Sequence, residues 1–138
     1  MTLNLTLSAE EPPRTDGMER PELCSPLGLA FVGDAVYDLL TREALLREAN
    51  RPPKKLQHLT AAQVNARAQA QAAVRLLPLL TPQEAALFRR GKNAQPGHVP
   101  RSCTKEEYSM ATALECLYGW LWLSGQQERA RALFLGTV

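Results

Sequence analysis

Leu29-Ala30-Phe31-Val32-Gly33-Asp34-Ala35-Val36-Tyr37 is an apolar run interrupted by one glycine and one carboxylate. Just ahead of it stand Ser25 and Pro26, an N-cap followed by proline at the first helical position, where the missing N–H costs nothing. The apolar pattern continues through Leu46 and ends at Asn50, Pro52 and Pro53, so the stretch reads as one long helix. Downstream, after a basic turn, Thr60 can cap an alanine-rich helix from Ala61 to Leu77, with Gln and Arg alternating on its wet side. Pro78 and Thr81-Pro82 break it. Thr81 and Glu84 have the spacing of a capping box for a short helix that Gly91 closes. Thr104 and Glu107 repeat that box and open a helix through Met110, Leu114, Leu117, Leu121 and Leu123, stopped by Gly125. A last helix spans Gln126 to Phe134. No strand alternation and no internal repeat is present, so the fold class is all-α with five or six helices.

The chain has 138 residues, 45% hydrophobic and 22% charged, the profile of one globular domain rather than of a disordered or fibrous protein. No apolar run approaches the roughly 18–20 residues of a membrane span, and no basic start followed by an apolar stretch marks a secretory signal. A cytoplasmic protein with no membrane partner is expected. Cys24, Cys103 and Cys116 form no CxxC pair, so the pattern encodes neither a disulfide framework nor a thiolate zinc site.

The net charge of +2 conceals a division. Residues 1–23 hold five acids against two bases, with Pro12, Pro13, Gly17 and Pro21 among them, and read as a flexible acidic leader to a domain over 24–138. From Arg47 to Arg101 there are ten bases against Glu48 and Glu84 alone. Such a segment suits a polyanion, because counterion release favours phosphate binding and a field of one sign speeds encounter with nucleic acid. The loop Gly91 to Arg101, rich in turn formers and bases, is an exposed connection of functional length.

Two carboxylates are out of place. Asp34 and Asp38 are the only charges between Pro26 and Leu40, and Glu115 is the only one between Met110 and Leu123. A carboxylate in apolar surroundings loses several kcal/mol of hydration unless it is neutralised, paired with a base or bound to a cation. Neither stretch supplies a base, so the compensating group is a basic residue from elsewhere or a metal ion. Two such acids brought together make an oxygen-rich site suited to Mg²⁺, which keeps its waters and takes one or two carboxylates plus phosphate oxygens. A simple salt bridge at the polar edge of each helix is the plainer alternative. Gly33 and Gly119, each costing about 1 kcal/mol against alanine in a helix interior, point to close backbone approach or to room for a metal and a phosphate. His58 and His98 are remote from each other and from the acids in sequence and are read as surface residues.

With those residues in view, the chain resembles the ribonuclease III catalytic domain, and more closely the short bacterial Mini-ribonuclease III branch, which has no separate double-stranded-RNA-binding domain. Leu29 to Tyr37 resembles the family signature around its first metal-binding aspartate. Thr112-Ala113-Leu114-Glu115-Cys116-Leu117-Tyr118-Gly119 resembles the motif around its metal-binding glutamate. Arg89-Arg90-Gly91-Lys92-Asn93-Ala94 resembles the segment leading into the RNA-contacting loop. Full-length members carry two further acids where this chain has Ala30 and Thr112, and the short branch is similar in lacking both.

The resemblance implies a ribonuclease III-type all-α fold and an endoribonuclease that hydrolyses both strands of double-helical RNA, leaving 5′-phosphate ends. In the short branch the task is maturation of the large-subunit (23S) ribosomal RNA precursor. Asp34 and Glu115 are the implied catalytic and metal-binding residues, with Mg²⁺ as cofactor and Mn²⁺ as a substitute. The ion would lower the pKa of an attacking water and stabilise transition-state charge. Lys54, Lys55, Arg89, Arg90, Lys92, Asn93 and Arg101 are the expected RNA contacts. Cutting both strands calls for two symmetry-related centres, hence a homodimer, with Phe31 at the position that packs into the partner. Trp120 and Trp122 lie on a helix apolar on nearly every side and are expected in the core. Two other readings compete: a noncatalytic RNA-binding, ribosome-associated module of the same fold, motivated by Ala30 and Thr112, and a helical protein-interaction domain whose basic face is merely solvated.

Overall fold

The computed structural model describes residues 19–94 and 97–138. Its elements are α1 (Pro26–Glu48), α2 (Pro53–Gln63), α3 (Ala66–Leu76), α4 (Pro82–Lys92), α5 (Lys105–Leu123) and α6 (Gln127–Leu135), with 3-10 turns at Pro21–Leu23 and Leu77–Leu79. No strand occurs among the described residues.

α5 is the axis of the molecule. From Met110 to Leu121 it buries ten residues, which lie on every side of the helix, because α1, α3, α4 and α6 all pack against it. A helix apolar all round has to be enclosed in this way. α1 presents a single stripe to it, Leu29, Gly33, Val36, Tyr37 and Leu40, at helical spacing. Three glycines set the distances. A methyl group at Gly33 would overlap the Glu115 carbonyl oxygen, one at Gly119 would overlap the Leu29 carbonyl oxygen, and one at Gly91 would sit 2.6 Å from Cβ of Cys116. The close approach read from Gly33 and Gly119 is therefore present, and α1 and α5 meet backbone to backbone at two levels.

Both capping boxes form: Thr81 with Glu84 and Thr104 with Glu107. Ser25 caps α1 through a 3.0 Å bond from the Gly28 amide. Gly125 follows α5 with a positive φ of 77°, as a stop signal should.

Three readings of the elements need correction. The alanine-rich helix does not start at Thr60, because Pro53 at a first helical position already opens α2 through the basic turn. Thr60 lies buried inside α2, donating its hydroxyl to the Leu56 carbonyl at 2.8 Å, while the break falls at Val64 and Asn65, where Asn65 caps α3. Gly91 does not close α4, which runs on to Lys92 and ends on Asn93. Its lack of a side chain serves packing against α5. Nor are the glutamines of α3 all on its wet side: Gln69 is 4% exposed, whereas Gln71 is exposed.

The remaining ties fix the periphery. Tyr37 packs edge-on against both Tyr118 and Phe134, at 5.5 and 5.4 Å between ring centres, which seats α6 on the core. Buried Glu84 receives two 2.9 Å bonds from Arg129, joining α4 to α6. Arg90 donates to the carbonyls of Glu22 and Cys24 at 2.7 and 3.0 Å, holding the chain entry before α1. The turn Pro21–Leu23, the end of the expected leader, is thus part of the folded body, with Pro21 buried. Residues 1–18 of that leader lie outside the described residues. Trp120 is in the core as expected, and half-buried Trp122 lies under the Arg131 guanidinium, 5.6 Å from ring centre.

Candidate active site

Asp34 on α1 and Glu115 on α5 meet. They are 81 residues apart in the chain, and the Asp34 carboxyl lies close enough to that of Glu115 to hold its proton on. The cause is local: Gly33, adjacent to Asp34, is the residue that lies on the Glu115 backbone, so the glycine notch that closes the helix pair also joins the two carboxylates. Asp34 faces solvent and Glu115 is largely enclosed.

That enclosure pushes the Glu115 carboxyl up to about 8, from a usual 4.5. Burial is the main cause, followed by the hydrogen bond and the negative charge of Asp34, while the Gln69 amide acts weakly in the opposite direction. No lysine or arginine is among the groups acting on Glu115. Of the two compensations open to these acids, a basic residue is therefore not supplied to Glu115 by the described residues, and near neutral pH Glu115 keeps its proton. Asp38 behaves differently. One turn beyond Asp34, it is paired with Arg42 at 3.0 Å, a simple salt bridge at the edge of the helix.

The third polar group at the site is Gln69 of α3, a residue that sequence reasoning placed in solvent. Its Nε2 is buried with no hydrogen-bond partner. The signal was available: Gln69, Ala73 and Leu76 fall at helical spacing on the face α3 turns inward. Ala30 and Thr112 add no carboxylate, and the Thr112 hydroxyl donates to the Tyr108 carbonyl of its own helix at 3.0 Å. No cluster of three or more His, Cys, Asp or Glu residues that could hold a metal exists among the described residues.

The basic residues fall into two groups. Lys54 and Lys55 are exposed in the first turn of α2, Arg89 on α4 and Arg101 in the following loop. Lys92 is exposed and 3.4 Å from Glu106, and Asn93 is the exposed C-cap of α4. Arg90 stands apart, since its guanidinium is occupied by two backbone carbonyls at the entry to α1. Phe31 is 82% exposed. His58 and His98 are on the surface.

The sequence from residue 27 to 126 matches the family model described as the ribonuclease III domain. The chain belongs to the ribonuclease III family. Among curated relatives it is 39% identical over 107 residues to a Mini-ribonuclease 3 of Thermoanaerobacter sp., spanning 78% of this chain and 75% of that one. It is 46% identical over 104 residues to a Mini-ribonuclease 3 of Synechococcus sp., spanning 75% and 74%. A crystal structure of a Fusobacterium nucleatum protein shares the fold at a TM-score of 0.75 and 32% identity, covering 83% of this chain and 93% of that one. The resemblance read from three motifs, and the all-α endonuclease fold it implied, are thereby shown. Ribonuclease III proteins are endoribonucleases, and the family generally uses divalent metals. In this member of the ribonuclease III family, the donor set at Asp34 and Glu115 fits such an ion. Two neighbouring carboxyl groups, the Glu115 one kept protonated by burial and by Asp34 with no basic group among the described residues acting on it, are what a hard divalent cation would convert to a satisfied pair.

Proposed function

We propose that this ribonuclease III family member is a Mg²⁺-dependent cytoplasmic endoribonuclease that cleaves double-stranded RNA as a homodimer, with the 23S ribosomal RNA precursor as its substrate. The observation that carries the reading is the Asp34–Glu115 pair, two carboxylates from different helices close enough to interact, with no lysine or arginine among the described groups that act on Glu115. Asp34 and Glu115 would hold the ion, with Mn²⁺ able to replace Mg²⁺. When bound, the ion supplies Lewis acidity and lowers the pKa of water near the scissile phosphate.

The protein's own contribution is positioning. Gly33 and Gly119 fix the separation of α1 and α5, and with it the reach of both carboxylates. Burial of Glu115 on α5 keeps bulk water from its side of the pair, so charge at the site acts in a less screened environment. Asp34, on the exposed side, is the member that faces an arriving phosphodiester. Lys54, Lys55, Arg89, Lys92, Asn93 and Arg101 present donors to phosphates, a form of contact that orients a helix without reading its sequence. Arg90 supports this surface indirectly by pinning the chain at Glu22 and Cys24.

A duplex has two strands and each centre cuts one, so a second copy is required. Leu23, just before the helix that bears Asp34, and Leu27 and Phe31 in its first two turns are large apolar residues exposed by 70, 48 and 82% at four-residue spacing. A partner packed there would place two centres on one RNA.

The test is incubation of the purified protein with a structured double-stranded RNA and with ribosomal precursor RNA in Mg²⁺, beside EDTA, Asp34→Asn and Glu115→Gln controls. Cleavage that chelation and either substitution abolish, with RNA binding retained, is the expected result. Binding without cleavage on both RNAs would overturn it in favour of the noncatalytic module that Ala30 and Thr112 suggest.

A further inference from the structure

We propose that Gln69 is a positioning residue of the carboxylate site: its buried side-chain amide, delivered by α3, holds the Glu115 carboxylate in the orientation that shares a divalent cation with Asp34. This rests on the metal-binding reading of the Asp34–Glu115 pair and adds a third helix to it.

The position is costly unless it is used. Gln69 is 4% exposed, on the same inward face as Ala70, Ala73 and Leu76, where an aliphatic residue would fit and carry no polar group. Its Nε2 has two N–H groups and completes no hydrogen bond with any described residue. Buried amides are almost always satisfied, so an unbonded one beside a carboxyl group marks a bond that is completed in another state of the site. The Gln69 amide lies close enough to Glu115 to favour its ionised form, the form that a cation would select. A carboxylate offers about four lone-pair sites on two oxygens. Asp34 and a shared cation would use some of these, and the Gln69 amide is a donor at hand for another.

Other candidates for this task are ruled out by their own bonds. Thr112 turns its hydroxyl to Tyr108. Ala30 has nothing to donate. Asp38 is held by Arg42. Among the described residues, Gln69 is the neutral donor that acts on the buried acid, and it comes from a helix that packs on α5. Charge-assisted N–H···O⁻ bonds of this kind are short and directional, which is what orienting a ligand requires.

The test uses the full-length protein and Mn²⁺ titrated by calorimetry without RNA, for wild type, Gln69→Met and Gln69→Ala. Methionine keeps the length of the side chain and alanine suits the helix, so one variant stays folded if the other does not; melting curves and circular dichroism verify it. The expected result is Mn²⁺ binding weakened about 10–100-fold, the range typical of losing a group that orients a metal ligand. At a metal level that saturates the wild type, kcat falls while KM and binding affinity for the RNA stay unchanged, and raising Mn²⁺ restores kcat. A folded variant that takes up Mn²⁺ as the wild type does overturns the assignment, because a purely structural glutamine would leave metal affinity untouched. If Glu115→Gln loses Mn²⁺ while Gln69→Met keeps it, only the role of Gln69 falls; if the wild type takes up no Mn²⁺, the metal reading falls with it.

Discussion

Glu115 is an acid that the fold keeps from ionising, and the consequence is measurable without substrate. Its folded-state value of about 8 lies above the usual 4.5, so the protonated form contributes stability that is full below pH 4.5 and is lost as pH rises through 8. Chelated protein is therefore expected to melt at progressively lower temperature between pH 5 and 8, by an amount on the order of a few kcal/mol at the top of the window. Glu115→Gln, permanently neutral, removes that slope. Mg²⁺ or Mn²⁺ opposes it at pH 8, since a cation binds the ionised pair and releases the proton. Differential scanning calorimetry at several pH values, with and without metal, checks all three; a pH-independent melt of the chelated wild type contradicts the buried-pair account. Glu84 is the mirror case. Burial raises its carboxyl, but the Arg129 bond and the Thr81 backbone amide outweigh this and hold it below the usual range. Its contribution is present at neutral pH and disappears in acid. Glu84→Gln keeps the shape of a side chain only 4% exposed but weakens its charge-assisted bonds from Arg129, itself a quarter exposed, and is expected to cost about 1–3 kcal/mol, read by urea denaturation.

Among the elements, the α1–α5 contact decides both fold and site. A methyl group at Gly33 meets the Glu115 carbonyl oxygen, and backbone cannot rotate away as a side chain can. Gly33→Ala is expected to destabilise by about 1–3 kcal/mol or more, as overpacking does, and to lower cleavage beyond what the stability loss explains, because moving α1 separates Asp34 from Glu115. The same substitution at Gly97, where a methyl group meets nothing, is the control and leaves the melting temperature near that of the wild type. These glycines were legible in the sequence, since a helix rarely accepts glycine inside an apolar run without a packing reason. So were the two capping boxes and the isolated acids, each a local pattern with a local cause. What escaped was non-local. Gln69 looked solvated because glutamine is usually outside, and only its partner on α5 explains its burial. Arg90 looked like a phosphate ligand beside Arg89 and Lys92, yet its acceptors are carbonyls 66 and 68 residues earlier in the chain. The break at Asn65 was hidden behind Thr60, a good cap in the wrong place, because Pro53 had already started the helix.

For the molecule as a whole, charge and symmetry make separate predictions. As the proposed RNA contacts, the exposed bases Lys54, Lys55, Arg89 and Arg101 would act through counterion release, so duplex RNA affinity is expected to fall linearly with salt on logarithmic axes. Removing any one of them reduces the slope by about one, read by fluorescence anisotropy over a salt series. Phe31 tests the assembly. Its side chain is 82% exposed and makes little use of its own fold, so Phe31→Asp leaves the monomer's melting temperature nearly unchanged. Placed against its symmetry mate, however, an aspartate meets a like charge in an apolar seam. Sedimentation is then expected to shift from dimer to monomer, and cleavage of both strands of a duplex to fall sharply while Mn²⁺ uptake at Asp34 and Glu115 persists. That combination separates the two requirements of double-strand cutting, an intact carboxylate pair and a second copy of it. A Phe31→Asp protein that remains dimeric and cuts both strands at the wild-type rate would place the contact between copies on another face.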